Sequence, residues 1–235
     1  MTSRWLEAAR ELRGLIVTSE YMKHELIEVG LPEAKIAVNP LFAMPVSTTK
    51  SETRNPKSEI EEALVLFCGR MYDYKGADFL LRALEHLAIP VQAVFIGDGP
   101  ELPKLKEQAT VLRSRHAIEF TGSLDQDAVS EFYRRASIVV VPSLWPEPFG
   151  RVGIEAMAYG KPVVAFRVGG IPEWLHDGQN GFLIEPKNVQ QLAEAIERIL
   201  SDRALAETMS ANALRLASEE FSPERHVKRL LETLR

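Results

Sequence analysis

From residue 63 onward, short runs of β-branched and aliphatic residues alternate with stretches whose apolar positions recur every three or four residues. The runs predict strands over 64–68, 91–96, 118–121, 138–141, 163–166 and 182–184. The stretches between and after them predict helices over 77–87, 101–113, 125–135, 151–159, 189–200, 203–217 and 223–234. Local chemistry agrees with several of the ends. Asp125 is a suitable helix cap, Tyr159-Gly160-Lys161-Pro162 is a Gly-then-Pro helix end, and Asp177-Gly178-Gln179-Asn180-Gly181 is a turn. Strands alternating with helices imply an α/β fold with a Rossmann-like parallel sheet and helices on both faces. Ligands of such sheets bind beyond the carboxyl ends of the strands, where every loop discussed below would fall.

The opening segment has a different rhythm. Residues 14–19 read as a strand, 20–29 as a helix stopped by Gly30, and 35–38 as a second short strand. A polar run rich in Ser, Thr and Lys over 46–60 reads as a linker. The chain therefore divides into 1–45, a linker at 46–62 and a main domain at 63–235. The last predicted helix sets Val227, Leu230, Leu231 and Leu234 at helical spacing, and this apolar stripe needs a surface or a partner.

Composition narrows the functional classes. The 235 residues are 46% hydrophobic and 26% charged, with a formal charge of −5 and no basic block, which argues against a nucleic-acid surface. No apolar run reaches membrane-spanning length, and the first residues lack a signal-peptide core. The single cysteine, Cys68, lies in a predicted strand and reads as a buried thiol rather than a nucleophile, which fits a cytoplasmic protein. Peripheral contact with the inner face of a membrane stays open.

The richest stretch is Pro142-Ser143-Leu144-Trp145-Pro146-Glu147-Pro148-Phe149-Gly150-Arg151-Val152-Gly153-Ile154-Glu155-Ala156-Met157-Ala158-Tyr159-Gly160-Lys161-Pro162. Glu147 falls in a strand-to-helix loop. Glu155 falls inside the following helix, on the face of Arg151. Two acceptors then sit at different depths of one crevice, one suited to ribose hydroxyls and the other to those of a second sugar. The helix N-terminus between them, with unsatisfied N–H groups and a positive dipole end, suits a diphosphate. A second loop, Gly69-Arg70-Met71-Tyr72-Asp73-Tyr74-Lys75-Gly76, offers a guanidinium fork and a mobile ammonium. On the residues alone, Arg70 and Lys75 read first as solvated charges on a loop.

Taken together, these residues closely resemble the donor-site signature of retaining glycosyltransferases with the GT-B fold, most like glycosyltransferase family 4 (group 1). The resemblance runs from about Ala63 to Arg235, with a weaker match over the first 45 residues. It implies that residues 63–235 are a nucleotide-sugar donor-binding domain and that 1–45 is a remnant of the acceptor-side domain. It implies that Glu155 binds ribose, Glu147 binds hydroxyls of the transferred sugar, and amides around Phe149, Gly150, Arg151 and Val152 line the sugar and phosphate pocket. Arg70 and Lys75 would hold the donor phosphates and stabilise charge as the glycosidic bond breaks. Glu147, Arg70 and Lys75 are accordingly the expected catalytic groups.

Other loops carry weaker signals. Gly97-Asp98-Gly99-Pro100 is expected to support a pocket wall and, lacking a third glycine, is not a dinucleotide fingerprint. The segment 120–124 either borders a nucleobase or is a simple glycine turn. Asp125-Gln126-Asp127 mimics a metal-binding Asp-x-Asp but is better explained by helix capping. His24, His86, His116, His176 and His226 are scattered, so the sequence requires no metal and implies no cofactor beyond a nucleoside diphosphate sugar as substrate. Val168-Gly169-Gly170-Ile171-Pro172-Glu173 would lie near the donor sugar, with Glu173 capping or salt-bridging a short helix. The expected activity is transfer of a hexosyl group to an unknown acceptor hydroxyl, with retention. A binding module without turnover, or a half-enzyme needing a separate acceptor subunit, stays open as the alternative.

Overall fold

The computed structural model describes residues 3–44 and 63–234; the expected linker lies outside the described residues. The elements, in chain order, are α1 (Ser3–Glu11), β1 (Leu15–Val17), α2 (Glu20–Glu28), β2 (Ile36–Val38), β3 (Leu64–Cys68), α3 (Ala77–Leu84), β4 (Gln92–Ile96), α4 (Leu102–Ala109), β5 (Ala117–Gly122), α5 (Gln126–Arg135), β6 (Ile138–Val141), α6 (Arg151–Ala158), β7 (Val163–Phe166), β8 (Gly181–Ile184), α7 (Val189–Ser201), α8 (Arg203–Glu220) and α9 (Pro223–Thr233). All six anticipated strands of the main domain are present. They form one parallel sheet in the order β5-β4-β3-β6-β7-β8.

The apolar strand runs are explained by burial on both faces. Side chains alternate across a strand, so Val65 and Phe67 of β3 join one core cluster while Leu64 and Leu66 join the other. Ile138 and Val140 of β6 divide from Val139 in the same way. Helices α3, α4 and α7 cover the first face with Leu80, Leu84, Leu105 and Ile196. Helices α5, α6 and α8 cover the second with Tyr133, Ile154, Met157 and Ala213.

Differences from the sequence expectation sit mainly at helix ends. Helix α3 stops at Leu84 rather than 87, because His86 and Leu87 donate to carbonyls three residues back, at 3.0 and 3.3 Å, and the helix tightens and ends. Helix α4 likewise gives way to a 3-10 turn, Thr110–Leu112. Helix α1 was not anticipated although its sequence is amphipathic; Ala9 packs into the small core of Val17, Leu26, Leu31 and Ile36.

In the opening segment β1 and β2 pair in parallel, joined by α2 as crossover. This unit docks on the main sheet at two points. Glu173, in the loop after β7, accepts from the backbone N–H groups of Glu20 and Tyr21, each at 2.9 Å, and so caps the start of α2. At the other point the His226 ring of α9 meets the Pro40 carbonyl at 2.7 Å and lies 4.9 Å from the Phe42 ring, while Asn39 Nδ2 donates to the His226 carbonyl at 3.2 Å. Helix α9 thus packs through its first turn, not through the stripe expected. Val227, Leu231 and Leu234 stay half or more exposed.

The Glu173 cap carries a testable consequence. A carboxylate on two helix N-terminal N–H groups contributes about 1–2 kcal/mol. Glu173→Ala is expected to lower the Tm by roughly 2–8 °C, read by calorimetry. An unchanged Tm would mean that the contact contributes nothing to docking α2.

Candidate active site at the carboxyl edge of the sheet

Strands β3 and β6 lie side by side at the centre of the sheet, and their following connections depart in opposite directions. This is the topological switch point where parallel sheets open a crevice. The loop after β3 (69–76) and the loop after β6 (142–150) flank it and are in direct contact. Leu144 N, Trp145 N and Ser143 Oγ all donate to the Tyr74 carbonyl, at 2.8, 3.1 and 3.2 Å. Gly76, at φ 73°, lies so close that a Cβ would fall 1.9 Å from the Pro142 carbonyl oxygen. Only glycine meets both demands.

This contact delivers two of the anticipated residues to one point. Lys75, at the end of the turn Asp73–Lys75, places Nζ 2.5 Å from Glu147 Oε1. Their side chains are 22% and 13% exposed. Sequence reasoning assigned the two to separate ligand groups and did not foresee the ion pair. Lysine has three N–H donors, so Nζ can hold Glu147 and still reach a second anion; Glu147 Oε2 stays available to a hydroxyl. A third loop fixes Glu147 from behind. Gly170 N donates to the Glu147 carbonyl at 2.8 Å, and a Cβ on Gly169, at φ 54°, would lie 2.2 Å from that same oxygen.

Arg70 is exposed, with its guanidinium 5.5 Å from the Tyr72 ring centre, and among the described residues it has no carboxylate within ion-pair distance. Its loop is propped from the far side by 97–100: Met71 N donates to the Asp98 carbonyl at 2.8 Å. The segment Gly97-Asp98-Gly99-Pro100 thus backs the Arg70 loop.

Helix α6 starts at Gly150, whose lack of a side chain leaves the first turn without a side-chain cap. Arg151 is exposed and Val152 half-buried, both in that first turn. Phe149 behaves differently from a lining residue. Its ring is buried and meets Phe221 edge-on at 5.6 Å, so any contact with a ligand in the crevice falls to its main chain. Its carbonyl accepts from the indole N–H of Trp174. Trp174, fully buried, also fills the space beside Gly153, where a Cβ would fall 1.9 Å from its ring. This buttress of α6 was missed; the only sequence signal was a tryptophan following the Gly169-Gly170 loop.

Glu155 sits one turn into α6 with its side chain 19% exposed. Oε1 accepts from Arg151 Nε at 2.7 Å, as the shared helix face predicts, and Oε2 faces the Tyr133 hydroxyl at 3.4 Å. Burial, then Cys68 and Glu155, push the Tyr133 phenol well above its usual range, so it stays a donor. Burial first and the Glu155 charge second push the Cys68 thiol up to about 11. It is therefore protonated at neutral pH and is no nucleophile.

Two other candidate segments have local structural partners. Asp125 Oδ1 accepts from Ala128 N at 2.9 Å and caps α5. Phe120 stacks on Phe95 with ring centres 4.8 Å apart, and Gly122 turns the chain at φ 74°. Among the described residues no group of three His, Cys, Asp or Glu is placed to hold a metal ion, and no helix is long and apolar enough to cross a membrane.

A six-stranded parallel sheet with this strand order, flanked by helices on both faces and with acidic and basic side chains gathered at the switch point, defines a Rossmann-like α/β architecture. The chain belongs to the group 1 glycosyl transferases, whose family model matches residues 49–216. It is 33% identical over 220 residues to an uncharacterised glycosyltransferase of Methanocaldococcus jannaschii, covering 88% of this chain and 56% of that protein. It is 32% identical over 223 residues to a glycogen synthase of Mycobacterium tuberculosis, covering 92% of this chain and 52% of that one. A crystal structure of Anabaena HepE in complex with UDP and glucose superposes with a TM-score of 0.85 at 28% identity, covering all of this chain and 67% of that one. The fold is that of GT-B glycosyltransferases. The chain spans about half the length of the curated relatives it matches.

The Cys68 environment gives a direct check. With the thiol at about 11 instead of its ordinary 9.0, the thiolate fraction at pH 8 falls roughly 100-fold. Alkylation of the native chain by iodoacetamide is expected to be at least that much slower than in denaturant and to accelerate as pH rises toward 11. The sign for stability follows: the raised thiol favours the fold below pH 9 and that contribution is lost as pH climbs through the folded value. Rapid native alkylation at pH 8, followed by mass spectrometry, would contradict the assignment.

Proposed function

We propose that this chain supplies the donor-binding side of a retaining glycosyltransferase acting on a nucleoside diphosphate sugar. The observation that carries the reading is the Lys75–Glu147 pair, held at the switch point by loop contact and followed at once by the open N-terminus of α6. Membership of the group 1 family and the likeness to a protein solved with UDP and glucose support it. Residues 1–45 then belong to the acceptor side, and 63–235 form the donor domain.

In this reading Glu155 accepts from the ribose hydroxyls, with Tyr133 and Arg151 fixing its two oxygens. The diphosphate lies between Arg70, the spare donors of Lys75 and the first-turn amides of α6 at Arg151 and Val152. Main-chain groups at Phe149 and Gly150 border the phosphate and the sugar. Glu147 Oε2 takes a hydroxyl of the transferred hexose. The bond from the anomeric carbon to the departing phosphate oxygen breaks, and positive charge grows on the sugar ring while negative charge grows on the diphosphate. Arg70 and Lys75 stabilise that negative charge in the transition state. An acceptor hydroxyl attacks from the face the diphosphate leaves and gives its proton to the departing oxygen, so the anomeric configuration is retained.

Calorimetric titration with UDP, GDP and ADP tests the reading. One of them is expected to bind, and Glu155→Ala to weaken it by about 2–3 kcal/mol, roughly 30- to 150-fold. Arg70→Ala and Lys75→Ala are expected to weaken the diphosphate far more than the matching nucleoside. Equal losses for both ligands would remove the phosphate assignment, and no binding to any nucleotide would remove the whole reading.

Two basic side chains facing the diphosphate can substitute for a cation. Donor binding is therefore expected to survive chelator, with affinity unchanged when EDTA replaces magnesium or manganese in the same titration. Binding that appears only with added metal would overturn this.

A further inference from the structure

Beside the Lys75–Glu147 pair lies an aromatic cluster whose open faces the donor reading leaves without a ligand. Tyr72 and Tyr74 stack with ring centres 5.3 Å apart at 24°, and Trp145 closes on Tyr74 at 5.7 Å and 54°. The three rings come from two loops locked together through the Tyr74 carbonyl, so the cluster is rigid rather than incidental. It is also open to solvent: Trp145 is 53% and Tyr72 36% exposed. Large aromatic rings held in contact yet left uncovered are poorly explained by core packing.

The cluster adjoins the candidate active site, and two of its rings also line a cavity. Lys75 Nζ lies 5.9 Å from the Tyr74 ring centre. On another side, Tyr72 and Tyr74 line a cavity of about 280 Å³ together with Asp73, Asp78, Glu101 and Lys104. Lys104 is engaged with Glu101 at 3.3 Å, which leaves the cavity rich in acceptors and net acidic. Partial burial pushes the Asp78 carboxyl upward from its ordinary range.

This chemistry selects among ligands. An acidic lining repels phosphates and anionic lipid headgroups. Exposed rings beside hydrogen-bond acceptors suit a neutral ligand with one apolar face and a rim of hydroxyl donors. A pyranose is such a ligand: its C–H face stacks on an aromatic ring while its hydroxyls donate to carboxylates. The cavity is smaller than the roughly 300–1,000 Å³ that encloses drug-sized molecules, which suits one sugar unit resting on a platform.

We propose that Tyr72, Tyr74 and Trp145, with the acidic cavity that Tyr72 and Tyr74 line, form a saccharide subsite that holds a neutral sugar unit of the acceptor near Glu147. The word acceptor rests on the transfer reading above; saccharide binding by the platform does not. The subsite is composed of residues from the donor side of the crevice, so acceptor recognition is shared across it.

The test follows the Trp145 indole N–H resonance of the 235-residue chain, assigned with Trp145→Phe. The titrants are maltotetraose, cellotetraose, α-mannotetraose and β-galactotetraose at millimolar concentration, and UDP is titrated separately. At least one saccharide is expected to shift the resonance. By calorimetry Tyr72→Ala and Trp145→Ala are expected to weaken that saccharide about three- to tenfold; UDP affinity is expected to be unchanged in Trp145→Ala, while Tyr72→Ala, whose ring lies against Arg70, is read for the saccharide alone. Trp145→Phe, which keeps a ring, is expected to restore part of the loss. Thermal melts equal to the parent's check that the variants fold, and both rings are exposed enough for the core to be untouched. Silence across the panel overturns the proposal. A resonance that responds instead to phosphatidylcholine or phosphatidylglycerol vesicles overturns it in favour of membrane docking. If a saccharide binds and no nucleotide does, the transfer reading falls while the platform stands; UDP binding without any saccharide response removes the platform alone.

Discussion

The Tyr74 carbonyl accepts three donors from the loop after β6, and that shared acceptor organises the active edge of the molecule. A parallel sheet can bring β3 and β6 together through its core alone, but the core ends where the strands end. Beyond that point the loop positions must be set by polar contact and by shape. Three donors on one oxygen, and a glycine at 76 that lets the backbones touch, supply both. Lys75 adjoins Tyr74 in sequence, and Glu147 is three and two residues beyond the donating Leu144 and Trp145. The ion pair is therefore a consequence of backbone docking rather than its cause.

That order of cause matters for the electrostatics. A lysine and a glutamate at 22% and 13% exposure would each be costly to leave alone, and removing one partner strands the other. Pairing resolves the desolvation without exhausting either group. Nζ retains donors and Oε2 retains lone pairs, both aimed by a bond that is already made. Glu155 is treated similarly, with one oxygen on Arg151 and the other facing Tyr133. Each carboxylate is thereby held in one orientation, which in the proposed reading limits the entropy lost on binding.

The fold was largely legible because burial on both faces writes strands as continuous apolar runs. Ile138-Val139-Val140-Val141 is such a run, and its limits agree with β6. Helix ends were less legible, since 85–87 and 110–112 keep helical composition while their hydrogen bonds shorten to i→i−3 geometry. At the site, residue types and local context were readable: Glu155 shares a face with Arg151, and Asp125 caps its helix. Pairings across long separations were not. Lys75 and Glu147 are 72 residues apart, and no local period encodes their contact. Trp174 was invisible as a buttress for the same reason, because its partners Phe149 and Gly153 belong to an earlier loop and helix.

The loop after β7 joins the two docking regions. Its glycines press on the main chain at Glu147 and Pro148, and Gly170 also abuts the Ser19 side chain that begins α2. Three residues on, Glu173 closes the first N–H groups of that helix. Within six residues the same segment holds the back of Glu147 and the front of α2. A side chain at 169 or 170 would press on the Glu147 loop, and loss of the Glu173 carboxylate would remove one of the contacts that hold α2, so the opening segment is positioned in part by the loop that sets the candidate active site. The 3-10 turn Ile171–Glu173 gives that short connection its stiffness. Position of α2 and position of Glu147 are thereby one mechanical property of the chain, fixed by a handful of backbone contacts rather than by the apolar core.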